Sequence, residues 1–242
     1  MEFKVGYRTD VGRKRSQNQD CGATLPELGL FVVADGMGGH KGGETASILS
    51  VEKITSYFRE HIHDTSLDPQ TLITRSFISA NRAIYDLSQA EPGLHGMGTT
   101  TVALFFKDRK LTIGHAGDSR CYFFRPNAIW QATRDHSLVQ EKLRMGLITR
   151  DQVKTDQMKN VITRSVGFES KLDVDVYRMD VEPRDCFLLC SDGLSGLVED
   201  HQILEIVMRN IEELQKGVDE LIDTANANGG DDNITALLVQ VN

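Results

Sequence analysis

Apolar positions in this chain follow two rhythms. Between residues 44 and 61, Ile48, Val51, Ile54 and Phe58 recur at spacings of three and four. Between 69 and 89, Ile73, Phe77, Ala80, Ile84 and Leu87 do the same. Such spacing lays an apolar stripe along a helix, and it predicts two core-facing helices. Asp68 and Pro69 supply a cap and a first-turn proline for the second. Elsewhere the apolar residues alternate or run together in short stretches. These predict strands over 3–8, 30–34, 99–106, 110–115, 120–125, 128–132, 173–181, 186–191 and 233–241. Lys107-Asp-Arg109 and Pro126-Asn127 read as hairpin turns. Two more helices are predicted over 202–209 and 212–226, the latter with Leu214, Val218, Leu221 and Ala225 on one face. Polar sequence of helical and irregular character fills 137–165.

Helix pairs set between runs of antiparallel strands predict an α+β fold. In Leu30-Phe-Val-Val-Ala34 and Cys186-Phe-Leu-Leu-Cys190 the apolar residues are consecutive. Strands of that kind are expected to be covered on both faces, by a second sheet on one side and helices on the other.

A length of 242 residues suits a single domain, 1–242, with a sizeable core. No apolar run approaches membrane-spanning length. Met1-Glu-Phe-Lys-Val-Gly6 lacks the basic-then-apolar order of a signal peptide, so a soluble cytoplasmic protein is expected. The net charge is -8, and the longest basic run is Arg13-Lys14-Arg15. That excludes the basic stripe of a nucleic-acid binder. The four cysteines form no Cys-x-x-Cys pair. Cys186 and Cys190 stand too far apart along one strand for a disulfide, and all four are expected to be reduced.

The acidity changes the picture where it is placed. Asp20, Asp35, Asp118, Asp192 and Asp232 lie at the ends of apolar runs, most of them beside glycine. Each alone reads as a turn residue. Together, carboxylates at the ends of buried strands repel one another unless a cation lies between them, and hard divalent ions suit oxygen ligands. Competing motifs fail. In Asp35-Gly-Met-Gly-Gly-His-Lys-Gly-Gly-Glu44, Lys41 is followed by Gly42 and not by the Ser or Thr of a phosphate-binding loop, and the dinucleotide spacing is broken. No EF-hand loop, His-Glu-x-x-His or Gly-x-Ser-x-Gly occurs.

In order along the chain stand Arg15-(x4)-Asp20, Asp35-Gly-Met-Gly-Gly-His40, Gly98-Thr-Thr100, Gly117-Asp-Ser-Arg120, Asp135-His136, Ser191-Asp-Gly193 and Asp232-Asn233. This series resembles the metal-dependent Ser/Thr protein phosphatases of the protein phosphatase 2C type, in the bacterial stand-alone form. The resemblance covers essentially the whole chain. It implies two antiparallel β-sheets packed as a sandwich, flanked by helix pairs, with a flap near 145–167. It implies a centre of two Mn2+ or Mg2+ ions and a weaker third. Asp35 would bridge the two ions, the Gly36 carbonyl would ligate the second, and Asp192 and Asp232 would complete the first. Asp118, with Asp192, matches the third position. Asp20 matches a residue that orients metal-bound water, and Arg15 the clamp on the substrate phosphate. The nucleophile would be a metal-bridging hydroxide attacking phosphorus in line. Asp231, beside Asp232, is expected to be a surface turn residue.

One position departs from the animal members of the family, which carry a histidine where this chain has Met37. Methionine cannot donate a proton. The candidate acids are then His40 and a water at the third metal position, the second being preferred. The implied substrates are phosphoserine and phosphothreonine in proteins, with an opposing Ser/Thr kinase, no nucleic acid or membrane partner, and a monomeric state. The rival readings are a phosphatase of small esters or phosphotyrosine, and an inactive module that only binds phosphoproteins.

Overall fold

Alternation along the strands stacks the chain into four layers: helices, sheet, sheet, helices. The computed structural model describes residues 1–125, 128–153 and 155–242, and leaves the side chains of His40 and Arg150 undescribed. Pro126, Asn127 and Lys154, assigned above to a turn and to the flap, lie outside the described residues.

The strands are β1 (Phe3–Asp10), β2 (Asp20–Leu25), β3 (Leu30–Met37), β4 (Gly98–Lys107), β5 (Lys110–Ala116), β6 (Arg120–Arg125), β7 (Ala128–Gln131), β8 (Asp175–Asp180), β9 (Cys186–Cys190) and β10 (Ile234–Val241). One sheet runs β1-β10-β9-β6-β7 and the other β2-β3-β4-β5-β8. Every pairing is antiparallel. Asp108 and Arg109 take positive φ in the tight β4–β5 turn, as a two-residue hairpin requires.

The consecutive apolar strands divide their side chains between two cores. In β3, Leu30, Val32 and Ala34 pack toward helices while Phe31 and Val33 enter the space between the sheets. In β10, Ile234, Ala236 and Leu238 take the helical side, and Leu237, Val239 and Val241 the sandwich interior. Phe31, Phe106 and Phe187 meet edge-on at the centre of that interior.

The outer layers are α1 (Gly39–His61) and α2 (Pro69–Ala90) on one side. On the other lie α6 (Asp200–Arg209) and α7 (Leu214–Ala227), numbered after three short helices: α3 (Leu138–Arg144), α4 (Arg150–Val153) and α5 (Asp192–Ser195). Asp68 caps α2 by accepting from the Gln70 and Thr71 amides. Ile48, expected on the core stripe of α1, is 41% exposed, because Ala46, Ser47, Ser50, Val51, Ile54 and Phe58 make the buried face. The helix also starts at Gly39, ahead of the predicted residue 44. Strand β2 was not predicted. The excursion beside the cleft begins earlier than 145. It is closed at its base by the bridge between Ser137 and Ile162 and contains α3 and α4.

Candidate functional site

Five strand ends converge at one end of the sandwich. Asp35 lies near the end of β3, and Asp20 opens β2 directly opposite it in register. Asp118 occupies the β5–β6 turn, Asp192 follows β9, and Asp232 precedes β10. A cleft of about 450 Å³ is lined by Asp35, Asp118, Asp192 and Asp232, together with Arg15, Gly36 and Met37. The fold therefore brings together the metal candidates predicted above, and Asp20 lies behind them, buried. The backbone of His40 is in α1, but its side chain is outside the described residues.

Glycine is required at Gly36. A Cβ there would strike the Gly43 carbonyl oxygen and sit 2.7 Å from the Gln19 carbonyl oxygen. Gly36 donates its own amide to that Gln19 carbonyl at 3.1 Å. The loop before β2 is thus sewn to the end of β3.

Asp20 ties one sheet to the other. Its Oδ2 accepts from Ser191 Oγ at 2.8 Å and from Thr235 Oγ1 at 2.7 Å. Its Oδ1 is buried without a partner, and so is Oδ1 of Asp118. Burial pushes the Asp20 carboxyl up to about 7, against the lowering effect of those two hydroxyls and with help from Asp192 and Asp232. Burial and Asp192 push Asp118 up to about 8, with Arg120 opposing. Asp35 is raised well above the ordinary carboxylate range by burial and by Asp20, Asp192, Asp118 and Asp232. Asp192 is raised by burial and by Asp232, and a hydrogen bond from Asp35 offsets part of this. Asp35 and Asp192 still keep some surface open to the cleft.

These carboxylates fit divalent cations. They are too close to ionise together without compensation, and two of their oxygens have no protein donor. Among the described residues no three His, Cys, Asp or Glu side chains close around one point as a finished ligand cage. An open set suits small hard ions, which keep several of their waters and take few protein oxygens. Asp35, Gly36, Asp118, Asp192 and Asp232 all line the cleft in which such an ion would sit.

Arg15 stands at the rim, about half exposed, with Nη2 2.7 Å from Asp232 Oδ2. Asp231 is exposed and pairs with Lys14 at 2.6 Å. Met37 lines the cleft, and Asn160 and Ile162 reach it from the excursion between β7 and β8. Behind Asp118, the half-buried Arg120 grips Asp135 through three contacts of 2.7 to 3.1 Å and donates to Tyr122 Oη. His136 receives the Gly117 amide on Nδ1 at 3.0 Å and faces Asp175 at 3.1 Å through Nε2, which fixes the backbone beside Asp118.

Asp135, His136 and Ser191 belong to the motifs given above, where they carry no assigned role. Gln19 and Thr235 were not singled out as site residues. Their partners lie far away in the chain, 171 residues for Ser191–Asp20 and 215 for Thr235–Asp20, so no local spacing signals them.

A family model described as protein phosphatase 2C matches residues 12–239. The serine/threonine phosphatase stp of Listeria monocytogenes serotype 4b is 37% identical over 238 residues, spanning 97% of this chain and 94% of the relative. Protein phosphatase PhpP of Streptococcus pneumoniae is 34% identical over 248 residues, spanning 99% and 98%. Among solved structures, the Mycobacterium tuberculosis serine/threonine phosphatase PstP/Ppp matches with a TM-score of 0.92 and 31% identity, covering 100% of this chain and 99% of that one. The catalytic domain of PstP in complex with two manganese ions matches with a TM-score of 0.89 and 32% identity, covering 99% of each.

Proposed function

The chain belongs to the protein phosphatase 2C family and is a serine/threonine phosphatase of that family, and on this footing we propose that it hydrolyses phosphoserine and phosphothreonine in proteins at the Asp35 cleft. One observation supports this above others. Asp35, Asp118, Asp192 and Asp232 line a single cleft with Asp20 buried behind them, orphaned oxygens lie on Asp20 and Asp118, and Arg15 stands at the rim.

Two Mn2+ or Mg2+ ions would be held by Asp35, the Gly36 carbonyl, Asp192 and Asp232, with Asp118 and Asp192 offering a weaker third position. When bound, such ions activate water as a nucleophile and neutralise charge that develops on phosphoryl oxygens. The chain's own groups do the rest. Arg15 turns from Asp232 to grip two phosphoryl oxygens with its planar fork. Asp20, held by Ser191 and Thr235 on one oxygen and unpartnered on the other, is the residue that would orient water on the metal side of the cluster. Met37 has no proton to give to the leaving alkoxide. Water ordered at Asp118 is the preferred donor, with His40 the alternative. If His40→Ala flattened the acidic limb of the pH–rate profile while Asp118→Asn left it intact, His40 would be the acid.

Among the described residues no helix is long and apolar enough to cross a membrane. Action on cytoplasmic phosphoproteins as a monomer, opposing a Ser/Thr kinase, accords with this reading. The test is hydrolysis of p-nitrophenyl phosphate with manganese, with and without EDTA, followed by phospho-Ser, phospho-Thr and phospho-Tyr peptides. Metal-dependent turnover with preference for the first two is expected. A folded sample with no such turnover would refute the proposal.

A further inference from the structure

Residues 11–19, between β1 and β2, form an arch that carries Arg15 near its middle. One side chain outside the arch holds both of its feet. Asn233, 5% exposed, donates through Nδ2 to the Val11 carbonyl and to the Gln17 carbonyl, each at 2.9 Å. Its Oδ1 accepts the Gln19 amide at 2.8 Å. The two amide hydrogens and the carbonyl of this side chain are thus all engaged with the arch.

The same residue also touches the carboxylate cluster. The Asn233 backbone amide donates to Asp232 Oδ1 at 2.8 Å. Gln19, held by Asn233, passes the connection onward: its carbonyl accepts the Gly36 amide at 3.1 Å, and its Nε2 donates to the Gly39 carbonyl at 2.9 Å. Asn233 stands just before β10 in one sheet, while Gly36 is next to last in β3 of the other. Asn233 is therefore shared by the Arg15 arch, the Asp232 carboxylate and, through Gln19, the Gly36 backbone.

We propose that Asn233 is a positioning residue for phosphate recognition, fixing the Arg15 guanidinium relative to Asp232 and Gly36 by clasping both feet of the 11–19 arch. Chemistry picks asparagine for this task. Aspartate would turn an oxygen toward the Val11 and Gln17 carbonyls, and leucine would leave the Gln19 amide buried and unpaired. Serine, one bond shorter, cannot span to both carbonyls. The proposal rests on phosphate being the group that Arg15 grips.

The experiment uses the manganese-saturated protein and inorganic phosphate as the probe, titrated by calorimetry. Asn233→Ser, checked for folding by circular dichroism, is expected to weaken phosphate binding about tenfold, the scale of one misplaced charge-assisted hydrogen bond. KM for p-nitrophenyl phosphate should rise in parallel, with a smaller change in kcat. In an Arg15→Ala background the same substitution should weaken phosphate by less than about twofold, because the group being positioned is gone. Asn233→Asp provides a second variant of nearly identical shape that keeps the Gln19 bond and loses the two to Val11 and Gln17. Unchanged phosphate affinity in a folded variant would overturn the proposal. So would an equal loss with and without Arg15, since that marks general loosening. Calorimetry reads binding with or without turnover, so failure of the clasp is distinguishable from failure of the phosphatase reading.

Discussion

Asp20 and Asp35 stand directly opposite one another on neighbouring antiparallel strands. Like charges in that relationship destabilise a sheet. Here the cost falls where Asp118, Asp192 and Asp232 add to it, since all of these residues except Asp20 line the same cleft. The sandwich therefore presents a local excess of negative charge that divalent ions offset.

Removing one carboxylate should act with opposite sign on stability and on activity. Asp35→Asn is expected to raise the melting temperature in EDTA, because it deletes a buried repulsion from Asp20 and Asp192. Asp35→Asn and Asp192→Asn should each lower manganese-dependent turnover by more than about a hundredfold, beyond the loss usual for residues one shell further out. Thermal melts with and without manganese, alongside p-nitrophenyl phosphate rates, check both. A variant that retained near-normal turnover would contradict the ligand assignment.

The metal-free protein should lose stability as pH rises from 6.5 to 8. The Asp20 and Asp118 carboxyls stand at about 7 and about 8 in the folded chain, above the 3.8 of the unfolded one. The folded state then holds the extra protons, and their stabilisation disappears as pH passes through those values. His115 and His136 are lowered from 6.5, mainly by burial, and act in the opposite sense. Their contribution dies away above 6.5, where the unfolded imidazoles lose their protons, and the carboxyls set the sign of the slope. Saturating manganese should abolish it. A melting temperature in EDTA that climbs across this window would count against the carboxylate repulsion.

Arg15→Ala should raise KM for p-nitrophenyl phosphate and weaken inorganic phosphate by about 10–100-fold, the range for hydrogen bonds to a charged group. Arg15→Lys should fall between, since a point charge lacks the planar two-pronged grip. Steady-state kinetics with phosphate as competitor measures this. Equal constants for Arg15→Ala and the wild type would remove Arg15 from the phosphate site.

Asp135→Ala should destabilise the protein by about 3 kcal/mol, because it strands a charged guanidinium in the interior. The low end of the usual range applies, since the Arg120 side chain keeps 21% of its surface exposed. Asp135→Asn, able to accept still, should cost less. Urea unfolding measures the difference, and a loss below about 0.5 kcal/mol would show the pair to be dispensable.

Much of this was legible in the chain, and the illegible parts share a cause. Strands β3 and β9 announced their double burial by consecutive apolar residues. Helix α2 announced its start through Asp68 and Pro69. Strand β2 did not, because Asp20-Cys-Gly-Ala-Thr-Leu25 holds few apolar residues, and its Gly22 is needed where the Tyr7 ring lies across it. The onset of α1 was hidden in glycines, which weaken helices on their own and are tolerated here only because Gly36 and Gly43 meet backbone to backbone. The carboxylates themselves were visible. What they lean on was not: Ser191, Thr235 and Asn233 act across the gap between sheets, and linear spacing carries no trace of that.

Strand β10 lies between β1 and β9, with Phe3 opposite Val241 and Asp10 opposite Ile234. The first and last strands of the fold in chain order are thus neighbours, and Asp232 and Asn233 stand just before the second of them. Without β10 and the residues before it, Arg15, Asp20, Asp35, Asp118 and Asp192 would have neither Asp232 nor Asn233 beside them, and β1 would have no partner in the sheet. Pairing at that sequence distance is slow and late. Completing the cleft is therefore a long-range event, because residues from both ends of the fold must meet before it closes.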